Sequence, residues 1–330
     1  MIYPWLEPVW QQIARHWQQQ PHAWLLYGHP GIGKREFAEY LAQALLCESP
    51  GTNHQPCGEC TSCHLYSQHS HPDFLLVSPE ETDGEGGERK QPLIKVETIR
   101  NVLDFAHLSA HRGGKRVALI YPAENMNLQA ANALLKILEE PPQGMVFILV
   151  SHQKDRLLPT IKSRCRQVVL TIPAPAQALA YAQQQHGDNA AELLAFHGGA
   201  PLFNENDSHT RLRNELITLL VKPRLIALLD YAATFDKHKL ALATFLDWLA
   251  KWLLDLSLAQ QNIQPMYYPV WSKALNEISR QADTLSLFAL IDKVNKLAPY
   301  GKHTLNVKMQ LEDLLIEYLN IWQQKNIKSY

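Results

Sequence analysis

Short apolar runs alternate with helical periodicities through the first half of the chain. Trp24-Leu25-Leu26-Tyr27 is one such run, and a Gly/Pro-rich loop follows it. From Lys34 to Cys47, the residues Phe37, Tyr40, Leu41, Ala44 and Leu45 fall at offsets 0, 3, 4, 7 and 8, which puts them on one face of a helix. Asp73 to Val77, Val117 to Tyr121 and Met145 to Val150 predict further strands, with helices over Val96 to Ala110 and Leu128 to Glu140. Apolar strands separated by helices predict a parallel sheet covered on both faces.

The pattern changes after Val168-Val169-Leu170, where Pro173 and Pro175 mark a boundary. A small helical unit follows and ends near His197-Gly198-Gly199-Ala200-Pro201, and the polar stretch Asn204 to Ser208 reads as a linker. The remainder is predicted all-helical. Phe245, Trp248, Leu249, Trp252, Leu253 and Leu256 form a wide apolar stripe, and Leu311, Leu314, Leu315, Tyr318, Leu319 and Trp322 form another. Such stripes build core or subunit-packing surface; no cofactor box is visible in them.

Composition sharpens this picture. The 330 residues, 46% hydrophobic and 19% charged, suffice for two or three domains with real cores and exclude disorder as the main theme. A net charge of −1 argues against a free-standing protein that grips nucleic acid through a dominant basic surface, though not against a local patch or contact shared with partners. The most apolar long stretch, Phe245 to Leu258, carries Asp247, Lys251 and Asp255, so no membrane span is predicted. Met1-Ile2-Tyr3-Pro4-Trp5 has no signal-peptide character, and the expected location is the cytoplasm. The acidic, Gly-rich stretch Ser78 to Pro92 reads as a surface loop without assigned function.

Chemistry concentrates in three places. Gly28-His29-Pro30-Gly31-Ile32-Gly33-Lys34-Arg35 follows a strand and opens a helix, the context of a phosphate-binding loop. Gly28, Gly31 and Gly33 would let backbone N–H groups wrap phosphates, and Lys34 would reach their oxygens. The eighth position should be a Ser or Thr that holds Mg²⁺, and it is Arg35, which cannot ligate a cation. Tyr121-Pro122 stand where an ATPase of this layout places an Asp and a Glu, and Glu124 is expected to point elsewhere. Mg²⁺ and independent hydrolysis are therefore not expected, and ATP binding at the degenerate loop stays open.

Cys47, Cys57, Cys60 and Cys63 are spaced C-x9-C-x2-C-x2-C, a donor set that can close a tetrahedral Zn²⁺ shell with no open position. An iron–sulfur cluster is the rival, but the ferredoxin pattern wants Cys and then Pro where Ser67 begins the next step. The site reads as structural. The third place is Arg164, in Ser163-Arg164-Cys165 beyond the fourth strand; alone it would read as a solvated or salt-bridged arginine.

Asn132-Ala133-Leu134-Leu135-Lys136-Ile137-Leu138-Glu139-Glu140-Pro141-Pro142, together with the four-Cys insertion, Ser163-Arg164-Cys165, His71-Pro72-Asp73 and the segment Asn306 to Leu315, resembles one family. It is the delta-prime subunits of bacterial DNA polymerase III clamp loaders, which are AAA+ proteins, and the likeness runs nearly the whole length in order. The resemblance implies an α/β P-loop (AAA+) domain with a zinc-binding insertion near 47–63 over residues 1–168, a small helical lid domain over 169–207, and an all-α collar domain over 208–330. It implies a non-catalytic stator that helps load the sliding clamp onto primed DNA, within a DNA-directed DNA polymerase (nucleotidyltransferase) holoenzyme. Gamma/tau and delta subunits would be its partners, with the clamp and primer-template DNA met through the complex at replication forks on the nucleoid. Arg164 would be an arginine finger given in trans to a neighbouring ATPase subunit. Ser151 would retain the polar sensor, whereas Leu202 stands where active siblings carry a sensing Arg. Two other readings stand beside it: a self-sufficient AAA+ ATPase, opposed by Arg35, Tyr121 and Pro122, and a zinc-dependent nucleic-acid binder, opposed by the near-neutral charge. Lys95, Arg100, Arg112, Lys115 and Arg116 could face a phosphate backbone inside the ring, or simply be solvated.

Overall fold

The computed structural model describes residues 2–79, 93–112, 114–204, 206–301 and 306–323, so most of the acidic 78–92 stretch lies outside the described residues. The described residues divide into two compact units: those up to 79, those from 93 to 178 and 200–202 form the first, and 179–199 with those from 203 onward the second.

The first unit is built on a parallel sheet of five strands: β1 (Ala23–Gly28), β2 (Phe74–Val77), β3 (Arg116–Ile120), β4 (Met145–Ser151) and β5 (Arg166–Leu170), in the order β2-β3-β4-β1-β5. The central β3 and β4 are buried at every position, as expected for strands covered on both faces. Around the sheet lie α1 (Glu7–Arg15), α2 (Lys34–Leu46), α3 (Thr61–Ser67), α4 (Val96–His107), α5 (Leu128–Glu139) and α6 (Pro159–Arg164). β1 to β4, α2, α4 and α5 stand where the periodicity predicted them, whereas β5, α3 and α6 had no such prediction. α1 had no such signal, and its Trp10 and Ile13, together with the preceding Trp5 and Leu6, are buried.

α7 (Pro175–His186) leads out of the first unit, and α8 (Ala190–Phe196), α9 (Asp207–Val221), α10 (Leu225–Lys237), α11 (Leu242–Gln260), α12 (Ser272–Ser279), α13 (Thr284–Leu297) and α14 (Val307–Gln323) complete the chain. Both predicted stripes are core here. Phe245, Leu249, Trp252, Leu253 and Leu256 on α11 meet Leu311, Leu314, Leu315 and Tyr318 on α14, and Trp252 Nε1 donates to Tyr318 Oη at 3.0 Å. Asp255 is fully buried, yet its carboxylate accepts the backbone N–H groups of Met266, Tyr267 and Tyr268, pinning that loop to α11. No helix of the described residues is long and apolar enough to cross a membrane.

Candidate functional site

The phosphate loop connects β1 to α2, and Gly33 caps the helix at φ +85°, a left-handed conformation glycine adopts without cost. A Cβ on Gly33 would lie 2.3 Å from the Tyr3 ring, and one on Gly31 2.6 Å from the Leu202 carbonyl oxygen. The loop's backbone is thus covered on both sides by its own chain. Leu202 N–H donates to Gly31 O at 2.9 Å, and Trp5 Nε1 donates to Ile32 O at 2.9 Å. Lys34 is buried and folds back to donate to the loop's own His29 carbonyl at 2.6 Å. Burial brings its ammonium down to about 8, against the pull of Glu124 and Glu36.

The two departures from the ATPase pattern meet in space. The Arg35 guanidinium lies 5.7 Å from the Tyr121 ring centroid, and its Nε donates to Glu39 at 2.9 Å. Tyr121 Oη and His152 Nε2 are 3.1 Å apart. Glu124 corrects the sequence expectation: it does not point away. A tight turn at Ala123–Asn125 swings it back, its Oε1 accepts His152 N–H at 2.9 Å, and its charge acts on Lys34. Spacing from the strand end gave no warning, because a turn of that kind reverses side-chain direction within three residues. Ser151 is fully buried, and its hydroxyl accepts Gln153 N–H at 3.1 Å, closing a local turn.

The four cysteines come together between the end of α2 and α3. All their sulfurs lie within 4.8 Å of one another, with Cys47–Cys57 at 3.6 Å and Cys47–Cys60 and Cys57–Cys63 at 3.9 Å. Backbone N–H groups of Cys57, Cys60 and Cys63 point at Cys47, Cys57 and Cys60 sulfurs respectively, donors that favour thiolates. Burial pushes Cys63 up to about 12. Burial raises Cys60 too, but the amides of Cys63 and Glu48 and the neighbouring thiols outweigh it and bring it down to about 6. This cluster could hold a metal ion. Its neighbour Ser62 donates to Leu46 O at 2.6 Å and meets His71 Nε2 at 2.8 Å, while His71 Nδ1 accepts Asp73 N–H at 3.0 Å. Asp73 in turn accepts the N–H groups of His111 and Arg112. The His71-Pro72-Asp73 motif therefore ties the cysteine module to the sheet.

Arg164 ends α6 on the same unit. Its Nη1 donates to Thr160 O at 3.0 Å, and its Nη2 to Glu139 Oε1 at 2.5 Å. Cys165 behind it is buried in the sheet core, where burial raises its thiol to about 12, so it is an inert packing residue. Of the basic residues considered for a phosphate backbone, Arg116 is buried and donates to Phe105 O, Arg112 pairs with Glu48, and Lys115 bonds Gln20; Arg100 is exposed.

The family model described as "DNA polymerase III, delta subunit" matches residues 6–173, and its C-terminal counterpart matches residues 208–320. DNA polymerase III subunit delta' of Pseudomonas aeruginosa is 35% identical, over 97% of this chain and 98% of its own. The chain belongs to the DNA polymerase III delta' family. The delta' subunit of Yersinia pestis is 30% identical, over 97% of this chain and 95% of its own. A DNA polymerase III gamma subunit-related protein from Thermotoga maritima has a solved structure that overlaps 95% of this chain and 99% of its own, at 18% identity and a TM-score of 0.44.

Proposed function

We propose that this chain is the stator of a DNA polymerase III clamp loader, a subunit that supports clamp loading without hydrolysing ATP itself. Membership of the delta' family across both units supports the role. The observation that carries the non-catalytic part is the filled loop. Lys34 is bound to the chain's own His29 carbonyl, and Arg35 packs on Tyr121 where a hydrolytic site needs Mg²⁺ ligands and a water-activating acid. A cation there would meet the Arg35 guanidinium, so no Mg²⁺ site is assigned. The gamma/tau and delta subunits are its partners in this reading, with clamp and primer-template DNA engaged through the complex in the cytoplasm.

Arg164 is assigned the role of a finger that stabilises charge on phosphoryl groups held by a neighbouring subunit, a contribution worth about 10³–10⁵ in rate where it operates. The four cysteines are assigned to a structural zinc ion. A tetrahedral shell with Zn–S bonds of about 2.3 Å places its sulfurs about 3.8 Å apart; the Cys47–Cys57, Cys47–Cys60 and Cys57–Cys63 pairs stand at 3.6, 3.9 and 3.9 Å, and all four sulfurs lie within 4.8 Å of one another, so small adjustments would close such a shell. Thiolates around a multi-iron cluster bind different iron atoms and stand further apart than these do. The zinc would hold the module's loops, while Ser62 and His71 carry that order to β2.

The stator reading is tested by reconstituting the loader with Lys34→Ala in place of the wild-type chain. Clamp loading at the wild-type rate is the expected result, while a loader without this chain should fail. Loss of loading by an assembled Lys34→Ala complex would show that the chain's own phosphate loop works in the cycle.

A further inference from the structure

We infer that Glu139 is a positioning residue for Arg164, holding the guanidinium ready for the neighbour's phosphates; the inference rests on the finger reading of Arg164. Glu139 closes α5 and Arg164 closes α6, and the two helix ends are brought together so that Nη2 donates to Oε1 at 2.5 Å. The second anchor, Nη1 on the Thr160 carbonyl, fixes the plane of the group.

An ion pair whose side chains are 33% and 50% exposed ordinarily does little for stability, because freezing two long side chains offsets the Coulombic gain. That ordinary reading neglects how both backbones are held. Leu138, next to Glu139, and Ile161 and Cys165, on either side of Arg164, are buried in one core cluster. The backbones on which the two side chains stand are therefore already fixed, and the carboxylate selects a single arginine rotamer at small extra entropic cost. Two of the five guanidinium N–H groups are occupied in this way, which leaves three for phosphate oxygens. A finger without this anchor would lose its rotamer freedom only at the transition state, and the barrier would rise accordingly.

The test is a double-mutant cycle in a reconstituted loader, with DNA- and clamp-stimulated ATP turnover as the readout and assembly checked by hydrodynamic size. Glu139→Ala should lower kcat about tenfold with KM for ATP unchanged, and Glu139→Gln, which keeps the acceptor oxygen, should recover most of it. In an Arg164→Ala background the Glu139→Ala change should have no further effect. If Arg164→Ala is slow but Glu139→Ala matches wild type, the positioning role is wrong and the finger stands. An equal loss from Glu139→Ala with and without Arg164 also overturns it, since Glu139 would then act elsewhere. If Arg164→Ala itself turns over normally, the finger reading fails first. Should Glu139→Ala not assemble, Glu139→Asp, whose shorter side chain draws the acceptor oxygen back from Nη2, carries the cycle with the same expected outcomes.

Discussion

Removing a ligand from the cysteine cluster is the sharpest structural perturbation this chain offers. Three sulfur pairs stand at 3.6 to 3.9 Å and all four sulfurs lie within 4.8 Å of one another, close to the edges of about 3.8 Å in a tetrahedral shell with zinc–sulfur bonds of about 2.3 Å. X-ray absorption on the purified chain should therefore show one zinc with four sulfur neighbours at about that distance. Cys60→Ser should reduce the sulfur count and the retained metal together. At free zinc one hundred times the dissociation constant, bound metal stabilises the folded state by about 2.7 kcal/mol. For a unit of this size, chelation should then lower its thermal midpoint by about 5–11 °C. The effect is read on the first unit, because the module is tied to β2 through Ser62, His71 and Asp73. A chain purified with no metal, or one whose midpoint ignores both chelation and Cys60→Ser, would refute the assignment. Visible absorption from iron would refute it differently, by putting the wrong metal in the right cluster.

Other perturbations test other parts of the fold. Burial lowers Lys34 from 10.5 to about 8, so the unfolded chain binds more protons between those values; its contribution is absent below about 8 and grows as pH rises toward 10.5. The stability of wild type relative to Lys34→Met should accordingly increase from pH 8 to pH 10, and a difference that stays flat or shrinks contradicts the buried amine. Asp255→Ala leaves three backbone donors without their acceptor, that of Tyr268 buried, and should cost about 3 kcal/mol in urea unfolding followed by far-UV circular dichroism; a change below about 1 kcal/mol would mean the loop at Met266–Tyr268 finds other acceptors. Gly33→Ala combines a φ of +85° with a clash against Tyr3. It should cost about 1–3 kcal/mol, partly recovered by Tyr3→Ala, and a neutral Gly33→Ala would show that the loop is not held as described.

Much of this was legible in the sequence because the signals were periodic or local. Strands β1 to β4 are built on continuous apolar runs, whereas β5 opens with Arg166-Gln167; α2 carries its core face at helical spacing, and the cysteines offer a donor set by their intervals. What escaped depends on contacts between distant segments. α1 hides its buried Trp10 and Ile13 among glutamines and carries Pro8 in its first turn, so no apolar period stands out. Glu124 was misjudged because side-chain direction beyond a strand is set by the turn, which distance along the chain does not encode. The Tyr3 and Leu202 covers over the phosphate loop, and the Glu139–Arg164 pair, join residues separated by about 25 to 170 positions. Basic residues were overcounted as candidate contacts for the same reason: Arg116 looks available in sequence but is buried against the Phe105 carbonyl.

The central claim is that this chain spends no ATP of its own and acts on a neighbour's nucleotide through Arg164. It is tested most directly by comparing clamp-stimulated ATP turnover in loaders carrying wild type or Arg164→Ala, with the pure chain as control. The account predicts a silent pure chain and an assembled variant complex slowed by about 10³ or more. Turnover by the pure chain, or a variant complex as fast as wild type, would contradict it.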